Sequence, residues 1–320
     1  MNTEYQGWYP VVNGRVGGYL KVVKLHHAPL VEGPALAGAL AFSGTLPPIF
    51  LRQVALIVIA ALGVHLFGET YNELVGMKWH LNDPLKRPFV SGVITKVEGY
   101  IIIALGVVLL ELASFYLNAW CFRLSPLVVL LTLIYPHLKD RFAWAPWALG
   151  TIVGIDVLGG YFGVWGAFCS SILCLLGGAP WLLVVSSIAF TVSFDETLNI
   201  SQTETHRNAG IKEFSATHPR DVTLMLIIVN KVISAVAALI GCALLGMVPA
   251  LFSLVFSSLL LRTVNMPKQG KIGSSINISL IAYTTLVIGL AISHVLTLTR
   301  YRSCDEARAE ATLRELKISR

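Results

Sequence analysis

Nine stretches of this chain are apolar over lengths that match a lipid bilayer, and no other feature narrows the possible folds so far. A hydrocarbon core of about 30 Å takes about 20 apolar residues in helical form. Only helices or closed barrels satisfy their backbone polar groups inside it. The stretches lie at about 29–50, 53–71, 97–117, 121–138, 143–163, 165–194, 222–246, 248–264 and 275–298. They predict an all-α integral membrane protein with about nine transmembrane helices. The sixth is interrupted by Gly177-Gly178-Ala179-Pro180 and is expected to kink there. Composition agrees: 55% of residues are hydrophobic and 13% charged, against about 25% charged in soluble domains. Those figures exclude a disordered chain, a fibre, a nucleic-acid-binding domain and an ordinary cytosolic enzyme. The formal charge of +6 belongs to the loops.

Charge asymmetry orients the chain. The N-terminal segment and alternate loops carry Arg15, Lys21, Lys24; Lys78, Lys86, Arg87, Lys96; Lys139, Arg141; Arg207, Lys212, Arg220; and Arg262, Lys268, Lys271. The opposite loops carry Arg52 and Arg123 before the C-terminal tail. The positive-inside rule then puts the N-terminus in the cytoplasm, in a multi-pass arrangement whose partner is the lipid bilayer, with no role for nucleic acid. The polar start from Asn2 to Gly7 lacks the form of a signal peptide, so the first span is expected to insert uncleaved. Residues 1–303 read as one transmembrane domain with two long cytoplasmic loops, 68–96 and 194–221. Residues 304–320 read as a polar tail, with a short helix from Cys304 to Ile318. Cys121, Cys169, Cys174, Cys242 and Cys304 have no metal-like spacing and read as small packing residues.

Ionisable residues inside the spans are the first candidates for function. Asp156, within Gly154-Ile-Asp-Val-Leu-Gly-Gly160, is expected to face an internal cavity as a general base or proton donor, or else to bridge helices by a hydrogen bond. Glu111 and Lys231 read as structural pairs, with Lys231 also placed to snorkel towards the cytoplasmic side. His65 reads as a packed, satisfied side chain. Tyr71, Trp79, Tyr135, Trp144, Trp147, Tyr161 and Trp165 could present π faces to a cation or form an interfacial belt.

Four short motifs, in order and at the right spacing, resemble the UbiA superfamily of intramembrane prenyltransferases. The first is Leu20-Lys-Val-Val-Lys-Leu-His-His-Ala-Pro29, similar to the family's N-terminal segment with Lys24 where arginine is usual. The second runs from Asn72 through Lys86-Arg87-Pro88 to Ser91-Gly92. Tyr135-Pro136-His137-Leu138-Lys139 resembles the family's Tyr-Pro-x-x-Lys, and Ala209-Gly210-Ile211-Lys212 the end of its second Asp-rich motif. The resemblance implies a UbiA-like bundle around a central cavity and transfer of an isoprenoid chain from an allylic diphosphate to a small aromatic or lipophilic acceptor.

That family holds Mg²⁺ between two Asp-rich motifs to neutralise diphosphate, chemistry that needs oxygen ligands. Here Glu73, Gly76 and His80 stand at the first motif's aspartates, and Asn199, Gln202 and His206 at the second's. The resemblance then leaves Asn72, Glu73, Asp195 and Asn199 as the magnesium ligands. It leaves Lys24, Lys86, Arg87, Lys139 and Lys212 as the diphosphate clamp, and Tyr135 with Asp156 as catalytic groups. His80 and His206, with Asp83 or Glu204, offer a zinc alternative. Other readings are a UbiA-type terpene cyclase acting on the prenyl diphosphate alone, a non-catalytic isoprenoid-binding membrane protein, and a transporter.

Overall fold

The computed structural model describes residues 14–24, 27–41, 50–79, 87–166, 168–169 and 171–318, with side chains as far as 296. Among these residues the regular structure is all helix, with no strand. The helices are α1 (Gly14–Val23), α2 (Ala28–Leu40), α3 (Phe50–Gly76), α4 (Lys96–Leu117), α5 (Ala119–Leu138), α6 (Ala145–Trp165), α7 (Ile172–Gly178), α8 (Trp181–Asn199), α9 (Thr203–Asn208), α10 (Phe214–Thr217), α11 (Arg220–Leu245), α12 (Met247–Arg262) and α13 (Ile272–Ile318).

Seven of the described helices are long and apolar enough to cross a membrane: α3, α4, α5, α6, α8, α11 and the first part of α13. The other two expected spans are shorter, 13 residues in α2 and 16 in α12. At 1.5 Å per residue they reach about 20 and 24 Å, less than the bilayer core. The sixth expected span is cut rather than kinked. Trp165 ends α6, the seven-residue α7 follows, and Pro180 starts α8. Polar side chains cap the starts of α4, α5 and α7. Thr95 and Glu98 close a capping box on α4, and the Asn118 side chain accepts from Trp120 N and Cys121 N to start α5.

Two expectations about the loops change. The stretch 68–76 continues α3, and 194–199 ends α8. The first halves of both motif segments are therefore rigid helix, which fixes the direction of their side chains. The tail helix is also continuous with the last span in α13. Cys169 and Cys174 form a disulfide across the turn between α6 and α7, where their Cα atoms lie 5.7 Å apart. Cys121 and Cys242 are the buried packing residues expected.

Neighbouring helices close a ring in which α2 packs on α3, α6 and α13, α6 on α8, α8 on α11, and α12 on α11 and α13. The α2–α6 crossing is backbone to backbone. A Cβ on Gly38 would meet the Val157 carbonyl oxygen at 1.8 Å, and one on Gly160 the Ala35 carbonyl oxygen at 1.8 Å. Small residues of this kind are what lets membrane helices approach. The largest core cluster joins α8, α12 and α13 through Phe190, Phe256 and Tyr283, with the Phe190 and Tyr283 rings 4.7 Å apart. Lys231 lies inside this half. It does not snorkel: at 1% exposure its ammonium donates to the Thr263 carbonyl (3.2 Å), Thr263 Oγ1 (2.7 Å) and Ser275 Oγ (2.9 Å), tying α11 to the ends of α12 and α13. Glu111 pairs structurally, accepting from Ser125 Oγ at 2.8 Å.

Candidate functional site

A cavity of about 660 Å³ opens between α2, α3, α5, α6 and α8 at the end of the bundle that carries the basic loops. Its chemistry follows from helix periodicity. On α3, His65, Glu69 and Glu73 recur every four residues and so share one face, with Asn72 beside them. On α5, Thr132, Tyr135 and Lys139 face the same space; on α6 Leu149, Ile152, Val153 and Asp156 do so; and α8 adds Phe194, Asp195, Leu198 and Asn199. Apolar and aromatic walls therefore lie below a rim of charge.

Two ion clusters form that rim. In the first, Glu73 is 6% exposed and sits between two cations: Lys24 Nζ at 2.8 Å from Oε1, and Arg87 Nη1, which donates to the same oxygen. Lys24 also donates to Glu69 Oε2 at 2.9 Å, and His27 Nδ1 lies 2.9 Å from Glu69 Oε1. Lys24 adopts a left-handed backbone conformation, φ 50°, where the chain turns from α1 towards α2. In the second cluster Glu213, 1% exposed, lies 3.0 Å from Lys139 Nζ and 2.9 Å from His206 Nδ1. Burial opposes ionisation of Glu213, yet Lys139 and His206 hold its carboxyl down at about 2. Burial alone would lower the Lys139 pKa, but Glu213, Tyr135 and Asp195 keep it well above the ordinary lysine value. The Lys139 ammonium lies 5.0 Å from the Tyr135 ring centroid, a cation–π contact.

Most of the expected site residues are brought together here. Lys24, Arg87, Lys139, Asn72, Glu73, Tyr135, Asp156, Asp195 and Asn199 all line the one cavity. Lys212 does not. Its side chain is exposed, and its contribution is a backbone N–H donated to the Lys139 carbonyl at 2.8 Å. The αL turn at Gly210, φ 72°, directs that strand of chain to Lys139. Lys86, His80 and Asp83 lie outside the described residues. His206 is buried rather than solvated, with Nε2 3.1 Å from Gln202 Oε1. Of the seven aromatic candidates, Trp79 and Tyr135 line the cavity, and Phe194 joins them. His65 is buried at 1% exposure, its Nδ1 2.7 Å from Glu32 Oε1.

Sequence reasoning passed over Glu69, Glu213 and Glu32. Glu69 carried a usable signal, one helical turn before Glu73. Glu213 and Glu32 had none, because their partners Lys139 and His65 are 74 and 33 residues away in the chain.

The magnesium expectation meets this geometry directly. Glu73 faces an ammonium and a guanidinium, and one Asp195 oxygen accepts from Asn199 Nδ2 at 3.2 Å. The Asn72 Oδ1 atom is buried without a hydrogen bond. No group of three or more His, Cys, Asp or Glu side chains is placed to hold a metal among the described residues. The donors present do not fit a preformed divalent-cation site. Fixed cations take the place where such an ion would have to contact Glu73.

The family model for the UbiA prenyltransferase family matches residues 33–271. The chain belongs to that family. Two curated relatives, each a 4-hydroxybenzoate octaprenyltransferase, are 27% identical to it. One, from Actinobacillus pleuropneumoniae, matches over 57% of this chain and 60% of its own length; the other, from Salmonella paratyphi B, over 60% and 65%. The chain thus spans about three fifths of the length of these relatives. Among solved structures, the apo UbiA homologue from Aeropyrum pernix superposes with a TM-score of 0.77 at 23% identity, covering 83% of this chain and 98% of that one. A UbiA homologue from Archaeoglobus fulgidus bound to GPP and Mg²⁺ superposes with a TM-score of 0.63 at 14% identity, over 88% and 99%. This UbiA-family chain shares their helical fold.

Proposed function

We propose that this UbiA-family protein is an intramembrane prenyltransferase that moves an isoprenoid chain from an allylic diphosphate to a small aromatic or lipophilic acceptor. The observation that carries the reading is the convergence of Lys24, Arg87 and Lys139 on one rim of a cavity whose walls below are largely apolar. An anionic head and a hydrocarbon chain are the two halves of such a donor. Arginine offers a planar fork to phosphate and lysine a compact charge. The relatives' printed activity and the GPP-bound homologue support the same donor class.

In mechanism, the three cations bind the diphosphate and stabilise the charge that grows on it as the C1–oxygen bond breaks. The bonding pair leaves with diphosphate, and Tyr135, Trp79 and Phe194 offer π faces to the allylic cation. The acceptor's electron pair then forms the new bond to C1, and Asp156 takes the proton released. Lys24, Arg87 and Lys139 are held in place by Glu69, Glu73 and Glu213, so the clamp is positioned before the donor enters. The 15 to 2 division of basic residues between the two sets of loops supports a cytoplasmic N-terminus and cavity mouth. Residues 1–303 act as one transmembrane unit.

The test is diphosphate release by the detergent-solubilised protein from C10, C15 and C20 allylic diphosphates, with a lipid extract as acceptor source and with EDTA or Mg²⁺. Release that requires the extract and persists in EDTA is expected. A strict Mg²⁺ requirement refutes the cation-only clamp. Cyclic products without any acceptor refute the transferase reading in favour of a cyclase.

A further inference from the structure

Below the charged rim, the cavity does not end in hydrocarbon. His65 lies eight residues before Glu73 on the same face of α3, about 12 Å deeper at 1.5 Å per residue. Asp156 lies eleven residues from the start of α6, about 16 Å in by the same rise. With Thr132 of α5 they make a polar floor, and Glu32 of α2 stands behind His65. Asp156 is 7% exposed, reaches both this cavity and a smaller one of about 50 Å³ beyond it, and has no hydrogen bond or ion pair among the described residues. Thr132 is 8% exposed and its Oγ1 is buried without a partner; Glu32 Oε2 is buried without one as well. Unpaired polar groups at this depth each cost about 1–3 kcal/mol. Ionisable groups inside a membrane helix bundle, such as Asp156, mark substrate pathways and working sites.

The sign of the floor decides the kind of ligand. Lys24, Arg87 and Lys139 are at the rim, and His65 Nδ1 is held by Glu32. The remaining floor groups are the Asp156 carboxyl, the Thr132 hydroxyl and His65 Nε2, which is buried without a partner, and the His65–Glu32 pair offers no net positive charge. A carboxylate brought here would be desolvated without a counterion, at high cost. A neutral hydroxyl would satisfy Thr132 and Asp156 together.

We propose that this floor is the acceptor's polar subsite, and that it takes a neutral, hydroxyl-bearing headgroup and rejects a carboxylate. The inference rests on the transferase reading, since it places the acceptor beneath the diphosphate with the reacting carbon between them. About 12 Å between rim and floor leaves room for one small ring below C1. A long prenyl tail then leaves the cavity sideways rather than downwards. The acceptor so described differs from the benzoate in the relatives' names.

Equilibrium binding by calorimetry on the solubilised full chain tests this, with benzyl alcohol, benzoate and inorganic pyrophosphate as probes. The first two differ only in the group offered to the floor. The alcohol is expected to bind at least tenfold more tightly than the benzoate. Asp156→Asn and Thr132→Val are each expected to weaken the alcohol about tenfold and leave pyrophosphate unchanged, which also shows that both variants fold. Equal binding of alcohol and benzoate overturns the proposal, as does alcohol binding indifferent to both substitutions. Pyrophosphate binding with no aromatic binding also overturns it and leaves the transferase reading intact. Alcohol binding sensitive to Asp156, with no pyrophosphate binding, upholds the floor and removes the transferase reading.

Discussion

Replacing Lys139 and Glu213 singly and together measures how much of the site's shape depends on its own charges. The pair is buried, 3.0 Å apart, and joins the end of α5 to the segment between α9 and α10. The Glu213 carboxyl falls from an ordinary 4.5 to about 2 in the fold. Each pKa unit is about 1.4 kcal/mol, so Lys139 and His206 outweigh the cost of burial and leave the ionised form favoured by about 3 kcal/mol net. Removing one partner strands the other as a buried charge, an effect of about 3–5 kcal/mol. For a chain of this length that lowers the melting temperature by about 5 °C. Lys139→Met and Glu213→Gln should each show that drop in detergent, followed by tryptophan fluorescence. The double variant should lose much less than the sum, with a coupling of about 2–3 kcal/mol. The pH dependence has a definite sign. Glu213 has a depressed pKa, so its contribution is complete above about pH 4.5 and fades as pH falls towards 2. Lys139 has a raised pKa, so its contribution is complete below about pH 10.5 and fades above it. Glu213→Gln should flatten the acid limb. Singles that add without coupling, or an unchanged acid limb, would refute the assignment of this pair as an internal ion bridge.

Other outcomes follow from the same geometry. Arg87→Met removes one of the two cations on Glu73 and one from the diphosphate clamp, and should lower kcat and kcat/KM at least tenfold in steady-state assays over donor concentration. Gly160→Ala puts a methyl group on the Ala35 carbonyl and should abolish stable expression or lower the melting temperature by 5 °C or more, whereas Gly159→Ala, whose Cβ meets nothing within 4 Å, should be silent. Lys231→Met removes a buried ammonium whose partners are neutral oxygens. It should leave diphosphate release unchanged, and lost release would move Lys231 into the working site.

The sequence by itself determined the solvent of this protein and the kind of secondary structure that solvent allows. Runs of apolar residues and a charge imbalance between alternate loops are local properties, readable without any contact. The motif positions were legible for the same reason: Asn72 and Glu73, Tyr135 and Lys139 are held within single helices, so spacing alone puts them on shared faces. Helix limits were less legible. The α3 and α8 helices run on through polar residues that read as loop, because rigid packing on neighbours outweighs the cost of polar side chains that face a cavity. Only the tertiary structure decided which charges meet. Glu213 reaches Lys139 across 74 residues, Glu32 reaches His65 across 33, and Lys24 and Arg87 close on Glu73 from two different segments. Ion pairs act over a few ångströms of space and carry no trace in sequence distance. The identity of the charge balancing each carboxylate, metal or side chain, was therefore fixed by how the helices assemble.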